Sequence, residues 1–166
     1  MRYEFFTLMG SMADHPARRE AMFRKILYPT DFSVEAARAL EFVKKLKNSG
    51  AEEVVLLHVI DRRGLTDLSR FATKDIAGIV TEQELKAKKE MGAIENDLKQ
   101  NGFRVKIKIV KGDPFKEMLR VEDEEDVSVI VIGARGKADN IPKMLLGSVS
   151  YNLVRKATKP VLVVKK

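Results

Sequence analysis

Between Val129 and Leu153 the chain reads VIVIGARGKADNIPKMLLGSVSYNL. An apolar strand ends at Gly133, a second glycine follows at Gly136, and a Gly147-Ser148 pair opens the next helical stretch. Glycines after a strand let backbone approach a ligand and accept positive φ without strain. A helix opened by Gly147 and Ser148 presents its first unbonded N–H groups, which attract phosphate. The hydroxyls of Ser148 and Ser150 can add hydrogen bonds. Far upstream, Asp31 follows another strand in YPTDFS. An ionised carboxylate only accepts, so it suits a ribose hydroxyl or an adenine amine. These types point to nucleotide binding, with the nucleoside at Asp31 and phosphates at Gly147 and Ser148. On spacing alone two other readings stay open: Asp31 as a turn or capping residue, and the glycines as plain connections.

Other polar groups read as structural. His58 lies in the apolar run EVVLLHVI and suits a satisfied buried histidine. The acid run Glu122 to Asp126 reads as a solvated helix end, because consecutive helical side chains do not converge on a metal. Met144 to Leu146 reads as packing. No Walker-type loop is present, and no Gly-x-Gly-x-x-Gly follows the first strand, which argues against a dinucleotide enzyme. PTDFS lacks the glycine a flavin phosphate would need. A receiver domain would want an aspartate after the third strand and a lysine after the fifth. Asp113 serves poorly for the first, and Lys159 precedes the last strand.

The elements that must position these residues alternate. KILYPT, EVVLLHVI, FRVKIKIV, VSVIVIG and KPVLVVKK are strand-like. Near-continuous apolar runs suit parallel strands covered on both faces, while the alternating charges of FRVKIKIV suit a sheet edge. Helices are expected after Ser33, a good N-cap, with Ala36, Ala39, Val43 and Leu46 inward; from about Glu82 to Gln100, with Ala87, Met91, Ile94 and Leu98 inward; after Gly-Asp-Pro at 112–114; and from Gly147, with Val149, Leu153, Val154 and Ala157 inward. The segment Asp61 to Val80 reads as a loop or short helix. Alternating strands and helices predict a single open five-stranded parallel α/β sheet with helices on both faces; with the first and fourth strands as the natural central pair, the expected order is 3-2-1-4-5. The first and fourth strands are then neighbours, and ligands of such sheets bind where strand order reverses. Asp31 and the glycine segment would face each other there.

With 166 residues and no cysteine, the chain fits one domain that needs no disulfide or thiolate metal site. Residues 1–22 read as an appended arm before a domain at 23–166, with Met12 or Met22 as alternative starts. The arm lacks the basic start and long apolar centre of a secretion signal, and no run reaches membrane-spanning length; the expected location is cytoplasmic. Of the net charge of +7, the segment from Arg135 to Lys166 alone supplies the excess, with eight Lys/Arg against Asp139. Basic surface near a glycine loop favours an anionic ligand. A basic platform interleaved with aromatics, as nucleic acid would want, is not seen.

KILYPTDFS, VVLLHVID and GARGK…LLGSVSYNLVRKATKPVLVV, in this order, resemble the universal stress protein family in its ATP-binding branch. The resemblance covers about Arg24 to Lys166. The family signature is Gly-x2-Gly-x9-Gly-Ser/Thr; Gly133, Gly136, Gly147 and Ser148 match it, but ten residues separate Gly136 from Gly147. The additional residue falls in KADNIPK, beside Pro142. The resemblance implies an adenine nucleotide, ATP above all. Pro29, Thr30 and Asp31 would contact adenine and ribose, and the backbone of Val59 the adenine edge. Gly133, Gly136, Gly147, Ser148 and Val149 would hold ribose and phosphates, with Arg135 suited by charge. It also implies a homodimer through the last strand, Pro160 to Val164, which agrees with an apolar edge strand that needs covering.

Hydrolysis needs a positioned water, a base and charge neutralisation. Phosphate donors are present but no base is evident, so the expected role is an ATP-dependent switch or sensor in stress response with slow or no hydrolysis. Mg or Mn would ride on the phosphates rather than on protein carboxylates. The alternative is a dimeric interaction module of the same fold that binds no nucleotide, a direction in which the inserted residue points.

Overall fold

The structure is a computed structural model that describes residues 22–61, 76–136 and 146–165. Four expectations fall wholly or partly outside them: the arm before Met22, most of Asp61 to Val80, the KADNIPK loop with Pro142, and the packing of Met144 and Leu145.

Five parallel strands form one sheet: β1 Lys25–Pro29, β2 Glu53–Asp61, β3 Arg104–Gly112, β4 Val129–Gly133 and β5 Val161–Val164. Their order is β3-β2-β1-β4-β5, the order expected. Reversal between β1 and β4 aligns Ile26 with Val129 and Leu27 with Ile130. Among the described residues the helices are α1 Val34–Leu46, α2 Ile76–Gln100, α3 Pro114–Glu124 and α4 Ser148–Lys156.

Period-two alternation along the strands sends side chains to two cores. Ile26, Tyr28, Val54, Leu56, Val129 and Val131 pack under α1 and α2 against Ala39, Val43, Met91 and Leu98. Leu27, Val55, Leu57, Ile130 and Ile132 pack under α3 and α4 against Met118, Val121 and Leu153. Each such apolar side chain contributes about 1.5–3 kcal/mol when fully buried. The central strands are therefore apolar on both faces, and β3 is the charged edge.

Caps fix where the helices begin. The Ser33 hydroxyl accepts from the Ala36 N–H at 3.1 Å, and the Asp113 carboxylate accepts from Phe115 and Lys116 N–H with Pro114 in the first turn. The buried Tyr28 hydroxyl donates to the Ala36 carbonyl at 2.8 Å, which pins α1 to β1. Burial pushes that phenol up to about 12.

Two expectations need correction. Val154 is 52% exposed, because the inward stripe of α4 runs through Ser150 and Leu153 and Val154 lies about 100° round from it. The acid run is not simply solvated: Glu122 is 2% exposed and Glu125 is buried too. Glu122 Oε1 accepts from Thr158 N–H, Thr158 Oγ1 and Lys159 N–H. Glu125 takes ammonium donors from Lys25, Lys106 and Lys108. Both carboxylates continue the inward face of α3 that begins at Met118 and Val121, so its partners are distant in sequence.

Candidate functional site

The chain turns sharply after β1. Asp31 Oδ1 accepts from Ser33 N–H at 3.0 Å, and Thr30 Oγ1 accepts from Phe32 N–H at 3.1 Å. Between them Phe32 takes φ of 60°, a left-handed conformation that strains a residue with a Cβ. Its ring stacks on His58 at 4.5 Å. The imidazole Nδ1 lies 2.8 Å from the Thr30 carbonyl and so carries the proton it donates. His58 is thus a clamp on the turn, the satisfied role its sequence context suggests, and its partner lies one strand away. The alternatives left open for Asp31 combine: one carboxylate oxygen closes the turn, and the residue lines a cleft.

That cleft, about 270 Å³, opens beyond the carboxyl ends of β1 and β4. Pro29, Thr30, Asp31 and Val59 line one side of it, and Gly133, Arg135 and Gly136 another. Ser148, Val149 and Ser150, the first turn of α4, close it. Sequence reasoning therefore placed ten of its eleven candidates together. It missed Pro114 and Met118 of α3, Ile132 of β4 and Asp61 of β2, which also line the space. Asp61 had a signal: counted in twos from Leu57 and Val59, it falls on the α3 face at the end of β2. Val59, Pro114, Met118 and Ile132 make that end of the cleft apolar.

Four expected roles change. Gly133 does not take positive φ, which among the described glycines belongs to Gly50 and Gly102. A Cβ on Gly133 would meet the Glu35 carbonyl carbon at 2.7 Å and its oxygen at 2.8 Å. The glycine is required by the start of α1. Gly147 does not line the cleft; its N–H donates to the Ala134 carbonyl at 2.8 Å, making it the hinge before α4. The Ser150 hydroxyl is engaged with the Ala134 and Gly147 carbonyls at 2.7 and 3.0 Å, so it braces the turn rather than facing outward. Arg135 bonds Glu35 Oε1 at 3.1 Å. The groups left to meet an anion are the opening N–H groups of α4 and the exposed Ser148 hydroxyl. Among the described residues no group of three His, Asp or Glu could hold a metal ion, and no helix is long and apolar enough to cross a membrane.

Comparison with known proteins agrees with this fold. The model of the family described as the universal stress protein family matches residues 22–165. Universal stress protein MJ0577 of Methanocaldococcus jannaschii is 44% identical over 157 residues, covering 87% of this chain and 96% of that protein. Its solved structure superposes with a TM-score of 0.77, covering 87% of this chain and 97% of that one. Universal stress protein G of Salmonella typhimurium is 30% identical over 149 residues, covering 87% and 100%. A universal stress protein solved in complex with cAMP shares the fold at a TM-score of 0.56 and 20% identity, covering 86% and 97%. The chain belongs to the universal stress protein family.

Proposed function

We propose that the chain binds ATP in this cleft and acts as a nucleotide-dependent switch or sensor in stress response, in the cytoplasm, with slow or no hydrolysis of its own. One observation carries the reading: a single cleft combines an apolar slot, the Asp31 carboxylate and the open first turn of a helix. A planar base, a ribose and phosphates require those three environments together. Absence of turnover is supported by His58, which is engaged with the Thr30 carbonyl and the Phe32 ring and does not line the cleft. A divalent ion would stay with the phosphates. The β5 edge, with Leu162 37% exposed, would pair with a second copy.

Equilibrium dialysis with ATP tests the reading. Wild type is expected to bind and Asp31→Ala to bind at least about tenfold more weakly, a lost charge-assisted hydrogen bond. Wild type that retains no ATP would instead favour a nucleotide-free interaction module. Multiple-turnover hydrolysis lost on Asp31 or Ser148 substitution would overturn the switch.

A further inference from the structure

Glu35 opens α1 beside the glycine turn. Its Oε1 accepts from Arg38 Nη1 at 2.8 Å and from Arg135 Nη2 at 3.1 Å. Its Oε2 is buried and has no hydrogen-bond partner among the described residues. Two guanidinium groups thus converge on one carboxylate oxygen while the other goes unsatisfied. A guanidinium fork matches both oxygens of a carboxylate or phosphate, and Arg135 uses little of that capacity on Glu35. The same Arg135 lines the cleft together with Gly133, Gly136 and Ser148 at the start of α4. Arg38 does not line it. The Glu35 and Arg135 side chains are only 14% and 19% exposed, so the pair is weakly screened by water.

We propose that Arg135 reads the phosphates of the nucleotide and that Glu35 holds it back until a ligand of sufficient negative charge takes it over. The inference rests on the nucleotide reading above. Arg38 makes the exchange feasible. It already holds the shared oxygen, so Glu35 keeps a counterion when Arg135 leaves; without Arg38 a largely buried carboxylate would be stranded. Adenosine offers nothing to Arg135, and each added phosphate competes better with Glu35. The competition therefore sets preference by phosphate number, and it ties ligand binding to the first turn of α1.

Affinities for adenosine, AMP and ATP, measured by calorimetry at one ionic strength, test the exchange. The readout is the ratio of ATP to adenosine affinity. Arg135→Gln is expected to lower it about tenfold. Glu35→Gln, nearly isosteric, should raise it about fivefold by removing the competitor. Arg38→Gln, although outside the cleft, should lower it by a similar factor. An unchanged ratio in Arg135→Gln overturns the proposal, as does a shift of the same sign in Glu35→Gln and Arg38→Gln. If Arg135→Gln fails to fold, by circular dichroism melting, the opposed signs of the other two variants still decide. Wild type that binds none of the three sinks the nucleotide reading and this one with it. Wild type that binds both adenosine and ATP, with a ratio no variant moves, overturns the exchange alone.

Discussion

At the amino half of the sheet charged side chains meet charged side chains, whereas at the carboxyl ends short side chains close onto backbone. Lys25 of β1 and Lys106 and Lys108 of β3 converge on Glu125, Lys108 also reaches Glu124, and Arg24 and Arg104 share Glu52. Glu122 binds the entry to β5. Opposite, Thr30, Asp31, Ser33 and Ser150 each make one or two bonds to nearby amides or carbonyls. Long-range pairs join elements, and local bonds shape turns. The first end is built for cohesion. The second leaves the cleft lined by an apolar slot, a carboxylate and a helix start, and among the described residues Arg135 on its wall forms a long-range ion pair with Glu35.

The division can be broken first where the carboxyl end does depend on close packing. Gly133→Val would drive a Cβ into the Glu35 backbone, which has no side-chain freedom with which to yield. Overpacking of this kind costs about 3 kcal/mol, and urea denaturation should show that loss together with loss of ATP binding. At the amino half, Glu122→Ala removes the acceptor of three bonds and leaves the Thr158 and Lys159 N–H groups without it. About 2–3 kcal/mol is expected, with ATP affinity of the folded protein unchanged. A fall in affinity would mean that the two ends are not separate.

Glu125 sharpens the contrast through pH. Hydrogen bonds from Lys106 and Lys108, then Lys25, hold its carboxyl down at about 2, from an ordinary 4.5. A depressed folded-state value contributes stability above the unfolded-state value and loses it as pH falls through the folded one. The contribution is thus complete at pH 7, declines below about pH 4.5 and is gone near pH 2. Glu125→Gln should be about 2 kcal/mol less stable than wild type at pH 7, with the difference vanishing toward pH 2. Denaturation midpoints across that range would show the convergence, and a gap independent of pH would refute the charge-based account.

The same contrast explains what was legible in the sequence. The alternation of strands and helices, the caps at Ser33 and Asp113 and most cleft residues follow from local pattern and from the rule that sites lie at the carboxyl ends of such sheets. Glu122 and Glu125 were misread because their partners arrive from β1, β3 and the entry to β5. Their positions, four residues after Met118 and Val121, still mark an inward face. Arg135 and Glu35 lie 100 residues apart, and nothing in either neighbourhood announces the other. Gly133 does meet backbone closely, but the backbone is that of Glu35 at the start of α1.

The smallest effect separates the ends most cleanly, because two serines make matching bonds at opposite ends. Ser128 Oγ accepts from the Lys25 N–H and donates to the Lys25 carbonyl, both at 2.8 Å. Ser150 Oγ donates to the Ala134 carbonyl, with the Gly147 carbonyl close by. Ser128→Ala and Ser150→Ala should each cost about 1 kcal/mol, one ordinary hydrogen bond. Only Ser150 braces the glycine turn against the first turn of α4, so only Ser150→Ala should weaken ATP binding, although its hydroxyl is turned to backbone and not to the ligand. Ser150→Thr, which keeps the hydroxyl, should restore most of the affinity. Equal affinities in the two alanine variants would show that the turn holds its shape without the brace, and that the cleft owes its geometry to Gly133 and Gly147 alone.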